Sequence, residues 1–145
     1  MNKFGKIALI LGVSFGLSAT ATMPAQAKTT WHRGAPATLR GKWLNTIPRK
    51  KDGVAGFATQ LKITSSRFFM GESSMPGVFG SKLIWHKSGK VYYMRMHVKQ
   101  NGFFRGGTWS YRFYRTGSKL YLNPTKNHLK RGYAFKRVAK FRNWY

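Results

Sequence analysis

The sequence predicts an all-β chain, closed into a single small antiparallel up-and-down β-barrel of about eight strands, and three observations lead to it. Apolar residues recur with a period of two rather than 3.6, turn residues interrupt them at short intervals, and those interruptions leave eight runs of strand length. Closure follows because an open sheet of such strands would expose its edges, which a barrel removes. A two-sheet β-sandwich is the alternative packing of the same strands.

The first run, 38–46, carries Trp43 and is separated by the Asp52-Gly53 turn from the second, 57–65. There Phe57, Thr59, Leu61 and Ile63 alternate with Ala58, Gln60, Lys62 and Thr64. A third short run, 67–71, reaches the stretch from Gly71 to Gly77 with Pro76, which turns the chain into a fourth at 78–86. After Ser88-Gly89 comes the clearest case, 90–99, where Tyr92, Met94, Met96 and Val98 share one face and Tyr93, Arg95, His97 and Lys99 the other. Asn101-Gly102 leads into 107–115, with Trp109, Tyr111 and Phe113 set against Ser110, Arg112 and Tyr114. Gly117-Ser118 leads into the seventh run, 118–123, and Asn123-Pro124 separates it from the last, 131–139. Continued through every strand, the alternation sends Trp43, Phe57, Leu61, Ile63, Phe79, Leu83, Trp85, Met94, Met96, Trp109, Phe113, Leu120 and Leu122 inward. In a barrel this narrow, side chains of that size are expected to fill the interior.

Ahead of the strands stands an export signal. Lys3 and Lys6 give a positive start, Ile7 to Leu17 is an uncharged apolar run, and Ala25-Gln26-Ala27 offers the small residues of a cleavage site. A run of about 11 apolar residues falls short of the roughly 20 that span a bilayer. The expected organisation is a signal peptide at 1–27 and one β-barrel domain at 28–145, secreted and extracellular.

The body carries an extreme charge. The chain has 27 Lys plus Arg against two acids, Asp52 and Glu72, and losing Lys3 and Lys6 with the signal leaves 25 basic side chains, a formal +23. Such a charge costs stability through self-repulsion, disfavours close self-association, and so points to a monomer that meets a polyanion. Cysteine is absent, which removes disulfides, thiolate chemistry and cysteine metal sites together.

At the first strand, Pro36-Ala37-Thr38-Leu39-Arg40-Gly41-Lys42-Trp43 resembles the opening of the lipocalins, calycin-type barrels in which a short helical turn leads into a Gly-x-Trp strand. The resemblance implies that Gly41 and Trp43 close one end of the barrel and that a late arginine, Arg137 or Arg131, stacks on Trp43. The Thr-Asp-x-Tyr motif usual in that family is missing. The region around Ala25-Gln26-Ala27, Trp31-His32-Arg33-Gly34 and Leu39-Arg40-Gly41-Lys42-Trp43 is also similar to small secreted proteins of lactic acid bacteria, mostly of undefined function.

Chemistry beyond binding finds little support. With two carboxylates, a glycosidase pair would have to be Asp52 and Glu72, and the positive field of Arg49, Lys50 and Lys51 opposes a general acid at Asp52. Ser73 and Ser74 lack a nucleophile elbow, so no catalytic residue and no enzyme activity is expected. His86 and His97 on adjacent strands, near Met94 and Met96, invite a copper site, but alternation sends the methionines inward and His97 outward; no metal or cofactor is expected. Arg131-Gly132-Tyr133-Ala134-Phe135 matches the start of an RNA-binding RNP1 motif, yet Lys136 and Val138 break it, and the segment reads as the last strand with no specific nucleic-acid partner.

The expected function is therefore non-catalytic: a secreted cationic protein retained electrostatically on anionic cell-surface polymers such as teichoic acids. The basic clusters expected to make the contacts are Arg49, Lys50 and Lys51; Lys126, Lys130 and Arg131; and Lys136, Arg137, Lys140 and Arg142. Arg33, Arg40, Arg95, Lys99, Arg105, Arg112 and Arg115 would add charge over the outer surface. The alternatives are action on anionic membranes through the aromatic tail Trp144-Tyr145, and carriage of a small apolar ligand in the lumen, which a filled interior disfavours.

Overall fold

A computed structural model of the chain describes residues 28–46, 59–125, 128–130 and 133–141. Its strands are β1 (His32–Arg33), β2 (Gly41–Asn45), β3 (Gln60–Ile63), β4 (Phe68–Gly71), β5 (Val78–Ser88), β6 (Val91–Val98), β7 (Gly107–Thr116), β8 (Lys119–Leu122) and β9 (Tyr133–Val138), with a 3-10 turn at Ala37–Leu39. From β2 to β9 each strand pairs antiparallel with the next, and β9 returns to β2, which closes an eight-stranded up-and-down barrel. All eight predicted strands are present; Phe57 and the Asp52-Gly53 turn lie outside the described residues.

The strand β1 is additional. β4 pairs with β5 only from Val78 to Gly80, which leaves the same edge of the longer β5 open further on, and β1 takes it with His32 opposite Trp85 and Arg33 opposite Ile84. Two residues carry no readable alternation, so the pairing leaves no trace in the sequence. The hairpins at Gly89-Lys90 and Gly117-Ser118 are two-residue turns with positive φ at the glycine, as their Gly-X sequences require.

Side chains fill the axis. Phe113, Phe68, Tyr111, Trp109 and Phe104 form a column with successive ring centroids 6.4, 5.4, 6.4 and 5.9 Å apart, walled by Leu61, Met94, Met96, Leu120 and Phe135, all buried. Met94, Met96 and Val98 point in while Arg95, His97 and Lys99 are exposed, as the alternation predicts. Burial pushes the Tyr111 hydroxyl up to about 12 from 10. The folded state therefore holds this proton more tightly than the unfolded chain, so its stabilisation is complete below pH 10 and is lost as the pH rises to about 12. Urea midpoints of the wild type should fall faster over that window than those of Tyr111→Phe.

One inward assignment is corrected. Phe79 points outward and is 49% exposed, whereas Val78 and Gly80 take the inner face. The cause is a bulge in β5: Ser81 pairs with His97 and Ile84 with Arg95, so Lys82 and Leu83 together oppose Met96. The extra residue reverses the alternation, and Leu83 and Trp85 remain inside as expected while everything before the bulge changes face. Lys82 sits there at φ 50, which disfavours a side chain. Lys82→Gly is expected to raise stability by up to about 1 kcal/mol, read from the urea midpoint.

The N-terminal segment closes one end. The 3-10 turn crosses it, tied down by the Gly34 amide donating to the Leu83 carbonyl (2.7 Å), the Ala35 amide to the Ser65 carbonyl (2.9 Å) and the Trp43 Nε1 to the Leu39 carbonyl (2.9 Å). Arg40 donates twice to the Ala35 carbonyl, and Thr38 meets the Tyr92 hydroxyl at 3.1 Å. The loops between β4 and β5, β6 and β7, and β8 and β9 gather at the opposite end.

Candidate anion-binding face

Strand register builds a single row across the outside of five strands. Lys42 on β2 lies directly opposite Lys62 on β3, Lys62 opposite Phe69 on β4, and Phe69 opposite Phe79 on β5; the Lys99 amide, just past β6, donates to the Phe79 carbonyl (3.1 Å). At about 4.8 Å between strands the row runs about 19 Å along the sheet. It reads Lys-Lys-Phe-Phe-Lys, from residues far apart in sequence.

Opposed like charges on neighbouring strands are destabilising. Lys42 and Lys62 form one such pair, and Lys119 and Lys136 on β8 and β9 form another. Lys140 and Phe141 extend the first pair, with the Lys42 ammonium 5.9 Å from the Phe141 ring centre, and the four residues line a groove of about 390 Å³. On the other side Lys62 also lines a second groove of about 360 Å³ with Arg67, Phe69, Phe79 and Lys99. Among the described residues Glu72 is the only carboxylate side chain, and it lines neither groove. The face thus concentrates positive charge, with the Lys42 ammonium beside the Phe141 ring.

A second cluster lies on β5, β6 and the residue before β1. His86 stacks on Tyr93 with centroids 4.7 Å apart at 4°, Trp31 meets His86 edge-on at 4.5 Å, and the Arg95 guanidinium lies 4.8 Å from the Trp31 ring. Here the cation is already engaged by an aromatic face. His97 is exposed while Met94 and Met96 are buried inside, so these three side chains do not converge.

The predicted basic residues distribute unevenly. Lys136 and Lys140 join the outer face, and Lys130 is exposed in the β8–β9 loop. Arg137 does something else: it lies opposite Trp43, its guanidinium 5.9 Å from the indole, and comes so close to Gly41 that a Cβ there would sit 3.1 Å from its Nε. Gly41, at φ 140, leaves the room this arginine occupies. Arg115, expected on the outer surface, is likewise found 5.6 Å from the Trp43 ring, with its guanidinium donating to the Thr38 carbonyl. Arg49, Lys50, Lys51, Lys126, Arg131 and Arg142 lie outside the described residues.

Lys42, Lys62, Arg67, Phe69 and Phe79 were absent from the predicted contacts. For Lys42, Lys62 and Phe69 the signal was outward alternation combined with register, and register between strands cannot be read from one strand at a time; alternation sent Phe79 inward, and Arg67 lies in the β3–β4 turn. Compared with known proteins, the chain matches no family model, no curated sequence and no solved structure.

Proposed function

We propose that this chain is a secreted, non-catalytic binding module that associates electrostatically with anionic cell-surface polymers such as teichoic acids. The observation that carries the proposal is the Lys42–Lys62 pair, set side by side and extended by Lys140, with no carboxylate lining the groove among the described residues. A polymer phosphate turns that repulsion into attraction and releases the polymer's counterions, so affinity falls steeply with salt. The export signal at 1–27 supports a partner outside the cell. A lipocalin-like reading of the barrel draws support from Gly41, Trp43 and Arg137 at its closed end, but the packed aromatic column weighs against carriage in the lumen.

The test is retention of the mature protein on purified cell walls across a salt series, with intact walls and walls stripped of teichoic acid. Retention should vanish on stripping and fall steeply with salt; retention indifferent to both treatments sinks the proposal. Action on anionic membranes is a second reading, favoured by Phe103 (66% exposed) on the β6–β7 loop, which also carries Lys99 and Arg105, and by Met75 (44%) on the β4–β5 loop. Those loops are joined by the Asn101 side-chain amide donating to the Gly77 carbonyl at 2.8 Å. Leakage from anionic vesicles, lost in Phe103→Ser, is the result that reading requires.

A further inference from the structure

The groove beside Phe79 has a composition that phosphate polymers do not explain. Its floor is aromatic: Phe69 and Phe79 pack with centroids 5.0 Å apart at 51°. Both rings lie down over positions that carry no side chain. A Cβ on Gly71 would be 2.8 Å from Phe69, and one on Gly77 would be 2.9 Å from Phe69 and 3.2 Å from Phe79. Covering glycines accounts for Phe69, yet it leaves Phe79 half in water on a strand. The rim is cationic, with Lys62, Arg67 and Lys99 around the floor. Arg67 is held at the end of the β3–β4 turn, its amide donating to the Thr64 hydroxyl at 3.0 Å while the Thr64 amide donates to its carbonyl at 2.9 Å.

We propose that this groove binds an anionic amphiphile, an alkyl or acyl phosphate whose chain lies across Phe69 and Phe79 and whose phosphate meets Arg67, Lys62 and Lys99. A guanidinium fork and two ammonium groups match a phosphate monoester, and the apolar floor supplies what a bare polyphosphate lacks. At about 360 Å³ the groove falls at the small end of ligand pockets, which fits one chain rather than a bulky ring system. The inference goes beyond polymer retention and draws on it only through Lys62, which both grooves share.

The test titrates the mature protein with decyl phosphate below its critical micelle concentration, with methyl phosphate and decyl maltoside as the two halves of the ligand and polyphosphate as the polymer. Burying two methylene groups is already worth about tenfold, so decyl phosphate should bind one to one and at least tenfold more tightly than either half. Phe79→Ser and Arg67→Gln should each weaken it about tenfold without lowering the melting temperature, while Tyr133→Ser, at an exposed ring outside the groove, should leave it unchanged. Equal binding of decyl and methyl phosphate, or affinity indifferent to Phe79 and Arg67, overturns the site. Tight polyphosphate binding alongside such a result leaves the polymer reading intact, and decyl phosphate binding without polyphosphate binding does the reverse.

Phosphatidylcholine vesicles carrying lysophosphatidic acid, a single-chain phosphate monoester, at a salt that releases polyphosphate, separate a lipid source of this chemistry from a free one. Lipid carried into the supernatant by the protein is the expected result. Protein pelleting with the vesicles through Phe79 would place the lipid in the bilayer and overturn a site for single molecules.

Discussion

Replacing Trp43 by alanine is expected to remove about 4 kcal/mol of folding stability, close to the whole of what a small domain has to spare. The indole is fully buried, donates to the Leu39 carbonyl, and carries Arg137 and Arg115 against its ring. Its loss would open a cavity, free a carbonyl at the end of the 3-10 turn, and leave two guanidinium groups without the surface they lie on. Trp43→Phe keeps much of the volume and loses the hydrogen bond, so a smaller cost of about 1 to 2 kcal/mol is expected. Urea unfolding of both variants measures the difference. A cost below about 1 kcal/mol for the alanine variant would mean that the closed end does not depend on this residue.

The second large effect is on binding. Lys42→Gln combined with Lys62→Gln should flatten the dependence of log affinity on log salt by somewhat less than two, because each lost phosphate contact removes slightly under one unit of slope. Affinity for polyphosphate near 0.1 M salt should fall at least about tenfold. The same pair of changes relieves an opposed like-charge pair, so stability should hold or rise by a few tenths of a kcal/mol. A charge-matched control, Arg33→Gln with Lys90→Gln, lies away from the row and should change the slope much less. Weaker binding together with undiminished folding is the combination that separates a binding face from a structural one. Equal loss in both double variants would mean that total charge alone determines affinity.

The sequence revealed the strands better than their faces. Period-two alternation located all eight barrel strands, and Gly-X pairs marked the hairpins, because both signals are local. The outward turn of Phe79 escaped because one inserted residue, Lys82, reverses the face of everything before it, and a bulge at a lysine leaves no glycine or proline as a marker. β1 escaped because two residues cannot show a period. Charge clusters along the chain identified Lys136 and Lys140, yet the row itself joins β2, β3, β4, β5 and the end of β6, so its basic residues never adjoin in sequence. Arg137 looked like one more cation in a basic run. Its position opposite Trp43 gives it a partner that its neighbour Lys136 lacks among the described residues.

The measurement that bears most directly on the proposed anion-binding face is a backbone and side-chain NMR titration of the protein with short-chain polyphosphate. Shifts confined to β9, β2, β3 and the outer row, led by Lys42, Lys62, Lys136 and Lys140, are the predicted result. Shifts spread evenly over every exposed Lys and Arg, or concentrated around Trp31, His86 and Arg95 instead, would contradict it.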